Sequence, residues 1–133
     1  MGALALAGGS IDGAGTAVNA NNVALTASSV VSKALQVSGD MLWSAGDLNL
    51  AGNDLSIGSV ATLNMTSASS ILQGAIQNQG TVNLGGILDV ANGYTQTAGL
   101  TQLNAGTLKV ASVAIQGGTL AVSYTHLTLP TKA

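Results

Sequence analysis

The sequence predicts an all-β chain wound as a parallel β-helix, or β-solenoid, of about six short coils with no sizeable helix. Three observations carry that expectation. Apolar, small or polar, apolar triplets recur from Leu4 to Val122, Gly, Asn or Ser follows most of them within about three residues, and the triplets return at a roughly constant interval. Alternation with a period of two places the outer side chains of each triplet on one face of a strand and the middle one on the other. The intervening Gly, Asn and Ser supply turns too often for three helical turns to form between them.

In order, the triplets are Leu4-Ala5-Leu6, Val23-Ala24-Leu25, Leu35-Gln36-Val37, Leu48-Asn49-Leu50, Leu55-Ser56-Ile57, Leu63-Asn64-Met65, Val82-Asn83-Leu84, Leu88-Asp89-Val90, Leu108-Lys109-Val110, Val113-Ala114-Ile115 and Leu120-Ala121-Val122. The segment Ala27 to Leu35 is the one place that also suits a single helical turn, although Val30 and Val31 favour a strand. Taking Leu48, Leu63, Val82, Leu103 and Leu120 as coil onsets gives spacings of 15, 19, 21 and 17, with a mean of 18. A period near 20 with two or three short strands per coil fits a solenoid, in which one coil cannot bury its own apolar face but stacked neighbours can. An antiparallel sandwich is the alternative. It calls for longer strands joined by tight turns, and Asp12-Gly13 and Asn92-Gly93 are the only Asp-Gly or Asn-Gly pairs.

Composition narrows function mostly by exclusion. Of the 133 residues, 47 % are hydrophobic but only 2 % aromatic, with no Phe, so small aliphatic side chains must fill the core. Charged residues are 6 %, against roughly 25 % in an ordinary soluble domain. Neutral amides and hydroxyls therefore carry the surface. The Gly, Ala, Ser and Asn bias also suits a disordered segment, but the recurring Leu and Val and the positive mean hydropathy oppose that reading. With three Lys, no Arg and a net charge of -2, there is no basic patch for nucleic acid. Without Cys, neither a disulfide framework nor a thiolate metal site is available.

The N-terminal MGALALAGGS lacks a basic region and a long apolar run, so an export signal is not expected within this stretch. Membrane insertion is not expected either, because Asn64, Gln73, Gln77, Asn78, Gln79 and Asn83 interrupt the charge-free run from Leu55 to Leu88.

Few residues offer chemistry. His126 is the sole imidazole, so a Ser-His-Asp triad or a histidine-ligated metal would have to use it. Asp40, Asp47 and Asp54 stand seven apart, where clustered carboxylates would suit calcium or acid–base work; Asp beside Gly or Asn is more commonly turn chemistry. Lys33 and Lys109 are the only cations before the last eleven residues, and there is no Glu. Polysaccharide lyase chemistry needs a cation on the sugar carboxylate and a base beside it, so a β-helical carbohydrate-active enzyme enters only as a fragment lacking its active site. The chain is read as non-enzymatic, with no cofactor, no catalytic residue and no metal ligand. Asn49, Asn64, Asn83 and Asn104 follow the apolar residue at four onsets and are expected as an exposed amide ladder. That ladder is either solvated or a strip that contacts glycans. Trp43 and Tyr94 are expected as loop anchors or corner fillers, with sugar stacking the alternative. Thr95-Gln96-Thr97 stands alone, whereas an ice-binding face repeats such a motif.

Asn92-Gly93-Tyr94-Thr95-Gln96-Thr97-Ala98-Gly99, Leu103-Asn104-Ala105-Gly106-Thr107-Leu108 and Ile115-Gln116-Gly117-Gly118-Thr119-Leu120 resemble repeats of bacterial surface β-helix proteins. These are the filamentous haemagglutinin-like adhesins and the passenger regions of autotransporters. The resemblance is clear from Gly80 to Val122 and weaker from Val23 to Gly80. It implies a secreted or cell-surface stalk or adhesin segment, with host or matrix glycans and proteins as partners. Separately, the open ends of a solenoid expose unpaired strand edges, so end-to-end self-association of the segment is expected. The last eleven residues, Ser123 to Ala133, resemble translated sequencing-adapter read-through and hold the only His and the only Pro. The expected organisation is a solenoid fragment over 1–122 and a non-native or disordered tail over 123–133.

Overall fold

The computed structural model describes residues 3–11, 17–103, 106–122 and 127–128. Those residues form eighteen β-strands and no helix, and every strand pair is parallel. The chain is a three-sided β-solenoid of about six turns. Its first face stacks Ala3–Ala7, Asn22–Ala27, Asp40–Trp43, Thr62–Met65, Thr81–Leu84, Leu100–Leu103 and Thr119–Val122, one strand per coil. Its second face runs from Ser10–Ile11 through Ser29–Val31, Ile87–Val90 and Thr107–Val110 to Leu127–Thr128. The third carries Ala17–Ala20, Ala34–Val37, Gly93–Gln96 and Val113–Ile115. Two ten-residue strands, Leu48–Ile57 and Ser69–Asn78, cross from the second face to the third and join both into one sheet.

Alternation does what the triplets predict in the middle coils, whereas in Val113-Ala114-Ile115 near the end of the stack Ile115 is exposed. In Thr81–Leu84, Val82 and Leu84 are buried while Thr81 and Asn83 face outward, and register carries this pattern from coil to coil. Leu25, Trp43, Met65, Leu84 and Leu103 form one inner column of the first face. Leu48, Leu72, Val90 and Val110 line the second face, and Leu35, Leu55, Ile76 and Tyr94 the third. Each buried Leu or Val contributes about 1.5–3 kcal/mol, so the columns outweigh any single polar contact in fixing register. Ala27 to Leu35 contains no helical turn; Ser29–Val31 and the start of Ala34–Val37 lie there, as the β-branched pair favours.

The phase of the repeat differs from the spacing of onsets. Register steps along the first face are Leu4 to Val23, Val23 to Met41, Met41 to Leu63, Leu63 to Val82, Val82 to Thr101 and Thr101 to Leu120. Four of these six steps are 19 residues; the second is 18 and the third 22. Leu48 therefore opens a strand on the second face, and Leu103 ends a first-face strand whose onset is Leu100. The long coil bulges at the crossing between two faces, where residues 50–53 oppose Gly74 alone. Ala51 there has a φ of 53° and Gly52 one of 85°. Asn49 Oδ1 accepts from the Ala51 amide at 2.8 Å and Asn53 Nδ2 donates to Leu50 O at 2.9 Å, which holds the bulge.

Where the third face turns into the first, successive backbones almost touch. Leu100 N donates to Gly80 O at 2.8 Å and Thr119 N to Gly99 O at 2.9 Å. Gly99 has a φ of 87°, and a Cβ there would lie 1.9 Å from Gly80 O. Within the tail, Leu127–Thr128 pairs with Leu108 and Lys109. His126 and the rest of that tail lie outside the described residues.

Gly99→Ala is expected to cost at least about 2 kcal/mol, from backbone strain at positive φ together with the corner clash. Gly93→Ala, whose Cβ would meet nothing closer than Ser112 O at 3.6 Å, should change stability by no more than about 1 kcal/mol. Denaturant titration followed by circular dichroism measures both; equal stability of the two variants would contradict the corner packing.

Candidate functional site

The outer side of the third face is built from the middle residues of its triplets. Register places Asn19, Gln36, Ser56, Gln77, Thr95 and Ala114 in one outward row. A second row begins one step past each strand. Gly58 N donates to Val37 O at 3.0 Å and Gln79 N to Ile57 O at 2.9 Å, which brings Ser38, Gly58 and Gln79 side by side on successive coils. In both rows the third coil carries a smaller residue than its immediate neighbours, Ser56 between Gln36 and Gln77 in one and Gly58 between Ser38 and Gln79 in the other. A groove of about 330 Å³ opens over them, bounded by Gln36 and Ser38 on one side and Gln79 on the other, with Asn19 at its end and Val37 beneath. Ser38 Oγ also donates to Asn21 Oδ1 at 3.3 Å, which orients this rim. No charged side chain lines the groove.

Behind the third face lies a buried polar cluster. Asn78 and Gln96 are register neighbours on its inner side, at 1 % and 0 % exposure. Asn78 Nδ2 donates to Gln96 Oε1 at 3.1 Å and to Leu100 O at 3.2 Å, while Asn78 Oδ1 accepts from Gly80 N at 2.9 Å. Gln96 Nε2 donates to Gly117 O at 2.9 Å and to Thr119 O at 3.1 Å. Thr101 Oγ1 donates to Gln96 Oε1 and is hydrogen-bonded to the Tyr94 hydroxyl. Every polar group so named has a partner, which is the condition for burying amides without a large penalty. Burial pushes the Tyr94 phenol up to about 12, against the lowering effect of its hydrogen bonds to Thr101 and Asn78.

The expected exposed ladder divides. Asn64 and Asn83 are register neighbours on the outside of the first face, and Asn83 Nδ2 donates to Asn64 Oδ1 at 2.9 Å. The row continues into Gln102 on one side and Leu42 on the other. Asn49 sits on the second face beside Gln73, apart from that row because the triplet Leu48-Asn49-Leu50 opens a second-face strand, the first-face strand of its coil being Asp40–Trp43. Asn104 lies outside the described residues. Sequence spacing thus placed one amide ladder outside, and the structure adds a second, Asn78–Gln96, inside. Ile76-Gln77-Asn78-Gln79 and Tyr94-Thr95-Gln96-Thr97 are its sequence trace, since alternation puts the third residue of each inward once Ile76 and Tyr94 face the core.

Asp40, Asp47 and Asp54 belong to one coil but to its three different sides. Asp40 opens a first-face strand, Asp47 precedes the second face, and Asp54 begins the third-face part of Leu48–Ile57. Asp47 links coils at this corner and closes no local turn with these bonds: its Oδ1 accepts from Ile71 N of the next coil at 2.9 Å, and its amide donates to Ser28 Oγ of the preceding coil at 3.0 Å. Among the described residues no three of His, Cys, Asp and Glu gather where a metal ion would be held. Lys33 is buried near the corner between the second and third faces, while Lys109 is exposed beside Asp89 on an outer row of the second face. Trp43 is fully buried, its Nε1 donating to Gly46 O at 2.8 Å, so it fills the first-face column and anchors the following turn. Tyr94 is buried likewise. Thr95 faces outward while Gln96 is buried.

What this surface offers chemically is neutral hydrogen bonding: amides that both donate and accept, and hydroxyls between them. The interior cluster adds a pH dependence. Because the folded-state phenol titrates higher than the unfolded one, its contribution is complete below pH 10 and lost as pH rises toward about 12. Tyr94→Phe should flatten that decline, removing about 2–3 kcal/mol of pH-dependent stability between pH 10 and 12. Urea titrations at stepped alkaline pH check this, and identical slopes for the two proteins would rule it out. Comparison of the chain with protein-family models, with curated proteins and with solved structures finds no match in any of the three.

Proposed function

We propose that this chain is a non-catalytic structural and adhesive segment of an exported bacterial surface protein, working at the cell surface or after secretion. The observation that carries the reading is the unbroken neutral row Asn19, Gln36, Ser56, Gln77, Thr95 on the outside of a stacked solenoid. Such a row offers repeated, equally spaced hydrogen-bonding groups to a long partner at about 4.8 Å intervals. Its partners are host or matrix glycans and proteins, and the segment works without a cofactor.

The resemblance of Asn92 to Gly99 and of Ile115 to Leu120 to filamentous haemagglutinin-like adhesins and autotransporter passengers points the same way. The spread of Asp40, Asp47 and Asp54 over three sides of a coil supports a non-catalytic role, since paired acid and base work needs two such groups within reach of one bond. Exposed Ile71 and Ile87 add apolar area on the separate second face.

Microspheres coated with the chain should be retained on an epithelial cell layer several-fold above spheres coated with an inert protein of similar charge. Equal retention of the two would refute the adhesive reading.

A further inference from the structure

We propose that the groove over Ser56 and Gly58 is a subsite for one ring of an uncharged saccharide. The proposal rests on the adhesive reading and names its ligand class. The first argument is shape. Ser56 lies between Gln36 and Gln77 in one row, and Gly58 between Ser38 and Gln79 in the next, so one coil's outward layer is lower than its neighbours in both rows at once. The flanking residues stand two strand spacings apart, about 9.6 Å, and the gap between them is one layer thick. A ring edge fits such a slot, whereas a full-length side chain on the third coil would close it.

The second argument is chemistry. The Gln36 and Gln79 amides stand on opposite walls, and each carries a donor and an acceptor, matching the paired hydroxyls of a sugar. Ser38 and Ser56 add hydroxyls, and because the Val37 side chain turns inward to the core, the slot recognises its ligand through polar groups. No cation lines the slot to offset the desolvation of a carboxylate, sulfate or phosphate, so an acidic sugar is disfavoured. An extended peptide fits less well. It gains affinity by adding to a sheet edge, and here the backbone groups of Val37 and Ile57 already bond to the next coil. A saccharide asks only for side chains.

Binding of the labelled full chain to an array of neutral and acidic oligosaccharides tests the proposal. Two variants accompany it. Ser56→Gln fills the slot with the side chain that both row neighbours already carry, and Gln79→Ala removes one wall. Unchanged circular dichroism establishes that each is folded. The expected result is retention on neutral oligosaccharides, weakened at least about tenfold by Ser56→Gln and several-fold by Gln79→Ala. Undiminished neutral-sugar binding by Ser56→Gln would overturn the slot and leave adhesion in place through another surface. A preference for acidic sugars, or no retention on any, would overturn it too. In that case microsphere retention on cells judges the adhesive reading by itself, because it does not depend on which ligand class is bound.

Discussion

Strand-to-strand hydrogen bonding in this protein runs only between coils. Among the described residues each strand pairs with the strand about one turn earlier or later, and none with another strand of its own coil. A single coil therefore satisfies few of its own backbone groups and buries little apolar surface, so stability is a property of the stack. Each coil must present the same inward columns at the same height as its neighbours. That requirement makes Gly acceptable at corners, confines amides to outward or fully paired positions, and lets one coil carry three extra residues provided they bulge away from the register.

Two polar ladders show how burial sets the stakes. Asn83 donates one hydrogen bond to Asn64 on a half-exposed row, where a net value of about 1 kcal/mol is typical, while Asn83 Oδ1 is buried without a partner. Asn78 and Gln96 make the same kind of contact under the third face, where leaving one group unpaired costs about 1–3 kcal/mol. The inner ladder specifies register more sharply. It bonds Gly80 N, Leu100 O, Gly117 O and Thr119 O, all at or just past the turn from third to first face. The tight glycine corner and the buried amides thus reinforce one alignment.

Much of this was legible in the sequence. The triplets mark strands on all three faces, and their alternation gives the buried side correctly for Leu35, Val37, Leu63, Met65, Val82 and Leu84. Phase was the difficulty, because Leu48-Asn49-Leu50 and Leu63-Asn64-Met65 look alike locally yet occupy different faces. Only pairing between coils distinguishes them, and the inserted residues near Ala51 lack any signal beyond a small-residue run. Thr101 hid its core position for a related reason. A hydroxyl in an inward column looks like a loop residue until Tyr94 and Gln96 are seen to be its partners. The groove was invisible for the same cause, since Ser56 and Gly58 matter only beside Gln36, Ser38 and Gln79.

Register is the claim on which everything else rests, and cross-linking reads it directly because the native chain has no Cys. In an Asn64→Cys, Asn83→Cys double variant the two thiols would sit on register neighbours, about 4.8 Å apart at Cα and within disulfide reach. In an Asn49→Cys, Asn64→Cys variant they would lie on different faces. Mild oxidation followed by mass spectrometry of proteolytic fragments should find an intramolecular disulfide in the first protein and free thiols in the second. A disulfide between positions 49 and 64, or none between 64 and 83, would contradict the coil alignment described above.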